Sequence, residues 1–283
     1  NATALSLQAG TDVDCGTIYK PGIPEAVATG QLSTDTVDVS FSRLTTIQMK
    51  LGLFDGKSGD EQPYFALGAE AIDTPEHRQL ALEAAEQSIV LLKNENGLLP
   101  LTPGSKSIAV IGPHYNATEL FLSNYHGWRC DDADRGPGDG KDFSCIPSVF
   151  DEIKKMNHGG KTTYAKGCSV AGMKGNDIEG AVKVAKAADL IVLAVGIDQT
   201  QEREGLDRVN ITLPGQQIEL VTKISKLGKP VVMVLLSGGM MSLGPLKAAI
   251  PAIIAAPYGG EMGATALSHV LFGTYNPSGK LAA

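Results

Sequence analysis

Leu190-Ile-Val-Leu-Ala-Val-Gly196, followed by Thr200-Gln-Glu-Arg-Glu-Gly-Leu-Asp-Arg208, is the stretch on which the fold turns. The first segment reads as a strand buried on both faces. The second holds three carboxylates and two arginines within nine residues. Leu213-Pro214-Gly215 then opens a helix pattern. A charged loop at the carboxyl end of a buried strand is where open α/β sheets place ligand chemistry.

The same alternation extends to both sides. Ile108–Ile111 is a short apolar run closed by Gly-Pro, and Thr162–Ala165 is a weaker strand. Helices are predicted over Asp177–Ala188, Gln216–Leu227 and Gly263–Phe272, with buried strands at Pro230–Leu236 and Ile250–Ala256. Apolar strands separated by helices imply an α/β sandwich, a mostly parallel sheet covered on both faces.

Upstream, Thr74-Pro75-Glu76 marks a helix start: Thr as cap, Pro at the first helical position, Glu at the positive end of the dipole. Its pattern carries through Ala81, Ala84, Ala85, Ser88 and Leu92 and ends at Gly97. Residues 56–73 are rich in Gly, Asp and Pro and read as a linker. Before them, Thr34-Asp-Thr36 is the expected cap of a helix from Val37 to about Leu51, with Phe41, Leu44, Ile47 and Met49 at roughly helical spacing. Ala2-Thr-Ala-Leu-Ser reads as the middle of a helix, and Ser278–Ala283 breaks off in mid-strand rhythm. The chain therefore reads as a fragment of something longer.

The 283 residues are long for one domain and enough for two, and 43% are apolar, sufficient for a sizeable core. A net charge of −7 without any basic block argues against a nucleic-acid partner. No apolar run reaches membrane-spanning length. Cys15, Cys130, Cys145 and Cys168 fit no zinc template, and sequence leaves their pairing open. Cys130 and Cys145 flank a Gly/Asp-rich loop that a bridge would close. Asn116-Ala-Thr118 and Asn210-Ile-Thr212 are glycosylation sequons. Cysteines and sequons together suggest a secreted, extracellular protein.

Taken in order, these segments resemble glycoside hydrolase family 3. The resemblance rests on Ala9-Gly-Thr-Asp-Val-Asp-Cys-Gly16, Val37-Asp38 through Arg43-Leu44, Leu51-Gly-Leu-Phe-Asp55, His77-Arg78, Ala84-Ala85, Ser88–Asn94 and Leu98-Leu-Pro-Leu101. It continues through Ile111-Gly-Pro113, Glu204 with Asp207-Arg208, Leu213-Pro-Gly-Gln216, Phe272-Gly273 and Asn276-Pro277. The Asp14-Cys15-Gly16 form and the Gln199-Thr-Gln-Glu-Arg-Glu204 form are similar to the branch of β-xylosidases and arabinofuranosidases.

The resemblance implies a C-terminal remnant of a (β/α)8-like barrel over residues 1–58, a linker over 59–74 and the sandwich over 75–283. It implies that the nucleophilic Asp, in a Ser-Asp motif, lies upstream of Asn1, and that this chain acts with the missing barrel. It also implies that Cys15, whose family partner follows that nucleophile, is a free thiol here. The implied activity is exo-acting and retaining, on xylo-oligosaccharides, without a cofactor or metal. A β-glucosidase, an α-arabinofuranosidase and a non-catalytic sugar-binding module are the alternatives.

Retaining hydrolysis needs one carboxylate to attack and a second carboxyl, ~5–5.5 Å away, to protonate the leaving oxygen. The family motif places that acid/base at Glu204, four residues before Arg208, with Glu202 as the rival. Both read equally well as solvated loop carboxylates. Asp207 and Arg208 are expected to pair and anchor the loop. Asp12 and Asp14 read as structural residues at the end of the barrel. Tyr125 and Trp128 offer aromatic faces for a substrate wall, or pack a loop on the sandwich. Gly238-Gly239 and Gly259-Gly260 each follow an apolar strand; they read as tight turns, since neither fits a phosphate-binding loop.

Overall fold

The computed structural model describes residues 1–55, 64, 67–126 and 143–282. Its contacts divide the chain into two compact units, Asn1–Thr74 and Pro75–Ala283. No helix among the described residues is long and apolar enough to cross a membrane.

The first unit contains helices α1 (Ala2–Gln8), α2 (Tyr19–Ala28) and α3 (Thr34–Lys50). Asn1 caps α1 by accepting from the Thr3 amide, so that segment starts a helix here. The cap of α3 is Ser33, one residue before the predicted Thr34-Asp-Thr36, and its hydroxyl accepts from Thr36 N–H. A small core joins Ala4, Leu7, Ala26 and Leu32, with Val37 packed against it. Leu44 is half-buried, while Phe41, Ile47 and Met49 of the α3 stripe are exposed, as are Leu51, Leu53 and Phe54 beyond it. Asp14 accepts from the amides of Tyr19, Gly16 and Ile18, and these bonds hold its carboxyl below the usual range. Asp12 accepts from Ser40 Oγ (2.8 Å) and Arg43 Nη1 (3.2 Å). Both aspartates thus have structural duties. Cys15 is exposed and free.

The second unit runs α4 (Pro75–Ser88), β1 (Val90–Asn94), β2 (Ile108–Ile111), α5 (Val149–Met156), β3 (Thr162–Ala165), α6 (Ile178–Ala187), β4 (Leu190–Gly196), α7 (Gln217–Ser225), β5 (Val231–Leu236), α8 (Leu246–Ala249), β6 (Ala252–Ala256) and α9 (Gly263–Phe272). The predicted helix to Gly97 ends at Ser88. The apolar run that follows is β1, an edge strand antiparallel to β6. Helix α5 begins with a capping box, in which Ser148 Oγ accepts from Asp151 N–H and Asp151 reaches back to Ser148 N–H.

The sheet order is β1-β6-β5-β4-β2-β3, and all pairs except β1·β6 are parallel. Every residue of β2, β4 and β5 is buried. Because side chains alternate across a strand, the two faces feed separate cores. Val110, Val192, Ala194, Val234 and Ile254 pack with α4, α5 and α9. Ala109, Ile191, Leu193, Met233 and Ile253 pack with α6, α7 and α8. His269 Nδ1 meets Glu86 Oε1 at 2.6 Å and ties α9 to α4.

The chain crosses from β2 outward to β3, then returns past β2 to β4, so the strand order reverses between β2 and β4. Loops leave these two strands in opposite directions and open a crevice at their carboxyl ends. Both exits depend on glycine. Gly112 (φ +133°) and Gly196 (φ +145°) lie so close to neighbouring strands that a Cβ would sit 2.2 Å from Ala194 O and 1.9 Å from Leu236 O.

Candidate active site

The loop after β4 is held from below by Gln217, a fully buried amide. Its Oε1 accepts from Gly196 N–H (2.8 Å), and its Nε2 donates to Gly196 O (2.7 Å) and Val170 O (2.8 Å). The chain then turns at Asp198, whose carboxylate accepts from the Thr200 amide (2.9 Å) and hydroxyl (2.5 Å). Arg203 and Leu206 exchange backbone hydrogen bonds of 3.3 and 2.9 Å. That closes a two-residue turn with Glu204 at its tip and Gly205 at φ +73°.

The two rival glutamates have opposite surroundings. The carboxylate of Glu202 accepts from the backbone N–H of Gly238 (2.6 Å) and Gly239 (3.1 and 3.2 Å) and from Tyr258 O–H (2.8 Å). Arg208 Nη2 stands 3.4 Å away in an ion pair whose side chains are 11% and 19% exposed. Glu202 is therefore spent on joining the ends of β4, β5 and β6. Burial, followed by the hydrogen bond to Glu202, pushes the Tyr258 phenol far above its usual range, so it stays a donor. Glu204 is exposed, and among the described residues its one hydrogen-bond partner is Tyr125 O–H.

Arg208 does anchor the loop, but the expected pair with Asp207 does not form. The guanidinium engages Glu202, Met240 O (2.8 Å) and Met241 Sδ (3.2 Å), while Asp207 is exposed. The neighbouring carboxylate in sequence was outcompeted by three acceptors that engage both terminal nitrogens of the guanidinium. A groove of about 530 Å³ beside the loop is lined by Asp207, Arg208 and Asn210 but not by Glu204. Gly238-Gly239 does cradle an anion, and the anion is the protein's own Glu202. Sequence reasoning missed this and the part of Tyr258, because the donors lie 36 and 56 residues downstream.

Tyr125 is 72% exposed and reaches Glu204 from the loop after β2. Trp128 and Cys130 lie outside the described residues. Cys145 is disulfide-bonded. Cys168 is a buried free thiol, which burial pushes up to about 11, so it carries no nucleophile at neutral pH. Asn116 and Asn210 are both exposed.

His114, under the crevice, is 2% exposed, and its Nε2 has no hydrogen-bond partner among the described residues. Burial lowers its imidazole from 6.5 to about 4, against the opposing pull of Asp198 and a hydrogen bond to the Gly196 backbone. The fold thus favours neutral His114. The resulting stability is complete above pH 6.5 and declines as pH falls toward 4, by at most ~3 kcal/mol. Urea midpoints of His114→Asn are expected to fall less steeply over that range than those of the parent chain; parallel slopes would contradict the assignment.

Residues 89–283 match the glycosyl hydrolase family 3 C-terminal domain. Over 99% of its length the chain is 39% identical to Beta-D-xylosidase 1 of Arabidopsis thaliana. It is 38% identical to Beta-xylosidase/alpha-L-arabinofuranosidase 1 of Medicago sativa subsp. varia, again over 99% of its length. The chain spans 34% of the length of each of these relatives. Among solved structures, the GH3 exo-beta-xylosidase XlnD in complex with a xylobiose aziridine activity-based probe superposes with a TM-score of 0.79 at 35% identity, covering 99% of this chain and 34% of that one. The β-glucosidase of Listeria innocua in complex with isofagomine gives 0.78 at 25% identity, covering 99% and 37%. The sheet, the crevice loop and these matches agree, and the chain belongs to glycosyl hydrolase family 3.

Proposed function

We propose that this chain supplies the general acid/base half of a retaining, exo-acting β-xylosidase, with Glu204 as the acid/base and a barrel in the same polypeptide supplying the nucleophilic Asp. The observation that carries the reading is the contrast between the two glutamates. Glu202 is saturated by donors, whereas Glu204 stands at a turn tip over the crevice with one of its carboxylate oxygens unengaged among the described residues. An acid/base must reach substrate, protonate the leaving oxygen and later deprotonate water.

Choice of a xyloside rests on the relatives, which carry xylosidase names at 38–39% identity. Residues 1–58 act in this proposal as the end of the barrel. The exposed apolar stripe of α3 supports that, since a face of this kind is ordinarily buried against neighbours. An extracellular setting is part of the same proposal, supported by the disulfide at Cys145 and the exposed sequons at Asn116 and Asn210.

The test compares this chain with the full-length polypeptide on 4-nitrophenyl β-xyloside and β-glucoside. The chain alone is expected to show no turnover. The full-length polypeptide is expected to prefer the xyloside and to release xylose first as the β-anomer. First release of the α-anomer would remove the retaining assignment, and a preference for glucoside would move the substrate to the glucosidase branch.

A further inference from the structure

We propose that Tyr125 is a positioning residue for Glu204, its phenol holding the acid/base carboxylate over the crevice between β2 and β4. This rests on the reading of Glu204 as the acid/base.

The two residues lie 79 positions apart and come from the loops after β2 and β4, the strands between which the sheet order reverses. Their meeting is therefore built into the topology. Although Tyr125 is 72% exposed, its segment is rooted: Leu120 and Phe121, in the short turn before it, are 4% and 1% exposed. A second tie joins the same loops, since Gln199 Nε2 donates to Leu120 O (3.2 Å) and Arg203 Nη1 donates to Gln199 O (2.8 Å). Ahead of the turn tip, the backbone is thus fixed to the segment that carries Tyr125.

The glutamate itself has no other restraint among the described residues. A long side chain at a turn tip samples many rotamers, while acid/base transfer demands one geometry. Tyr125 O–H is donated to Oε2 of Glu204, which leaves Oε1 to face the reaction. Oε1 gives its proton to the departing glycosidic oxygen and takes one back from the attacking water. Oε2 accepts from the phenol throughout.

The test uses the full-length enzyme with xylobiose, a poor leaving group, and dinitrophenyl xyloside, a good one. Tyr125→Phe keeps the ring and removes the donor; Tyr125→Ala removes both. Exposure of the side chain makes both variants compatible with folding, which melting curves verify. A hydrogen bond to a charged group translates into about a 10-fold effect. Tyr125→Phe is expected to lower kcat on xylobiose by about that factor with KM little changed, and to leave the bond-breaking step on dinitrophenyl xyloside, read as the pre-steady-state burst, nearly unaffected. In a Glu204→Ala background the same substitution is expected to change nothing.

If Tyr125→Phe matches the parent while Tyr125→Ala raises KM, the ring is a sugar wall and the inference falls. It falls equally if the 10-fold loss persists in the Glu204→Ala background. If Glu204→Gln alone shows no dependence on the leaving group, the acid/base reading fails first, and the Tyr125 series is not what overturned it.

Discussion

Glu204→Gln in the full-length enzyme is expected to lose about 10²–10⁴-fold in kcat on xylobiose, the usual worth of general acid–base assistance. On dinitrophenyl xyloside the bond-breaking step is expected to be nearly untouched, because that leaving group departs without a proton. The second half of the reaction still lacks its base, so the glycosyl-enzyme accumulates. Azide is expected to rescue Glu204→Ala by attacking that intermediate as a small anion, giving a glycosyl azide. Rate constants on the two substrates, with and without azide, decide the matter. If leaving-group dependence follows Glu202 instead, the assignment within the Glu-Arg-Glu motif is wrong, while family membership is unaffected.

Glu202→Ala is expected to behave in the opposite way, losing activity on every substrate and about 3 kcal/mol of unfolding free energy. Its carboxylate satisfies two backbone amides and a phenol and balances Arg208, whose side chain is 11% exposed. Removing one partner of a mostly buried pair leaves the other charge and the donors unmet, which costs several kcal/mol. Glu202→Gln retains an acceptor oxygen for the Gly238 amide and is expected to fall between the two. Urea unfolding of the chain reads this directly. A Glu202→Ala chain as stable as the parent would mean that the clasp contributes no net stability.

The sheet was legible because β2, β4, β5 and β6 are short apolar runs cut off by Gly or Pro, and period and length settle such runs. Strand β1 was not, since Ser88-Ile-Val-Leu-Leu-Lys-Asn94 reads equally as the last turns of a helix. What makes it a strand is the pairing of Val90 with Ala255, far along the chain. Helix α5 was not predicted, although Ser148-x-x-Asp151 carries its capping signal, because that signal follows directly on a Gly/Asp-rich stretch read only as a loop. Glu202 and Glu204 were both visible as candidates, and only the resemblance, through the four-residue spacing to Arg208, favoured Glu204; the residue types between 200 and 208 do not reveal their surroundings. The distinction is made by amides at 238 and 239 and a phenol at 258. Arg208 was recognised as an anchor and matched to the wrong acid for the same reason.

The clasp on Glu202 also sets an order of events during synthesis. Its last donor, Tyr258, follows β6. A chain emerging from the ribosome therefore carries β4 and its acidic loop well before the loop has anything to close upon. Contacts of such long sequence separation form late, after the loop-closure entropy between them has been met. The turn that carries Glu204 therefore closes late, and a polypeptide stopped just short of residue 258 has the Gly238 and Gly239 amides but not the phenol that completes the clasp.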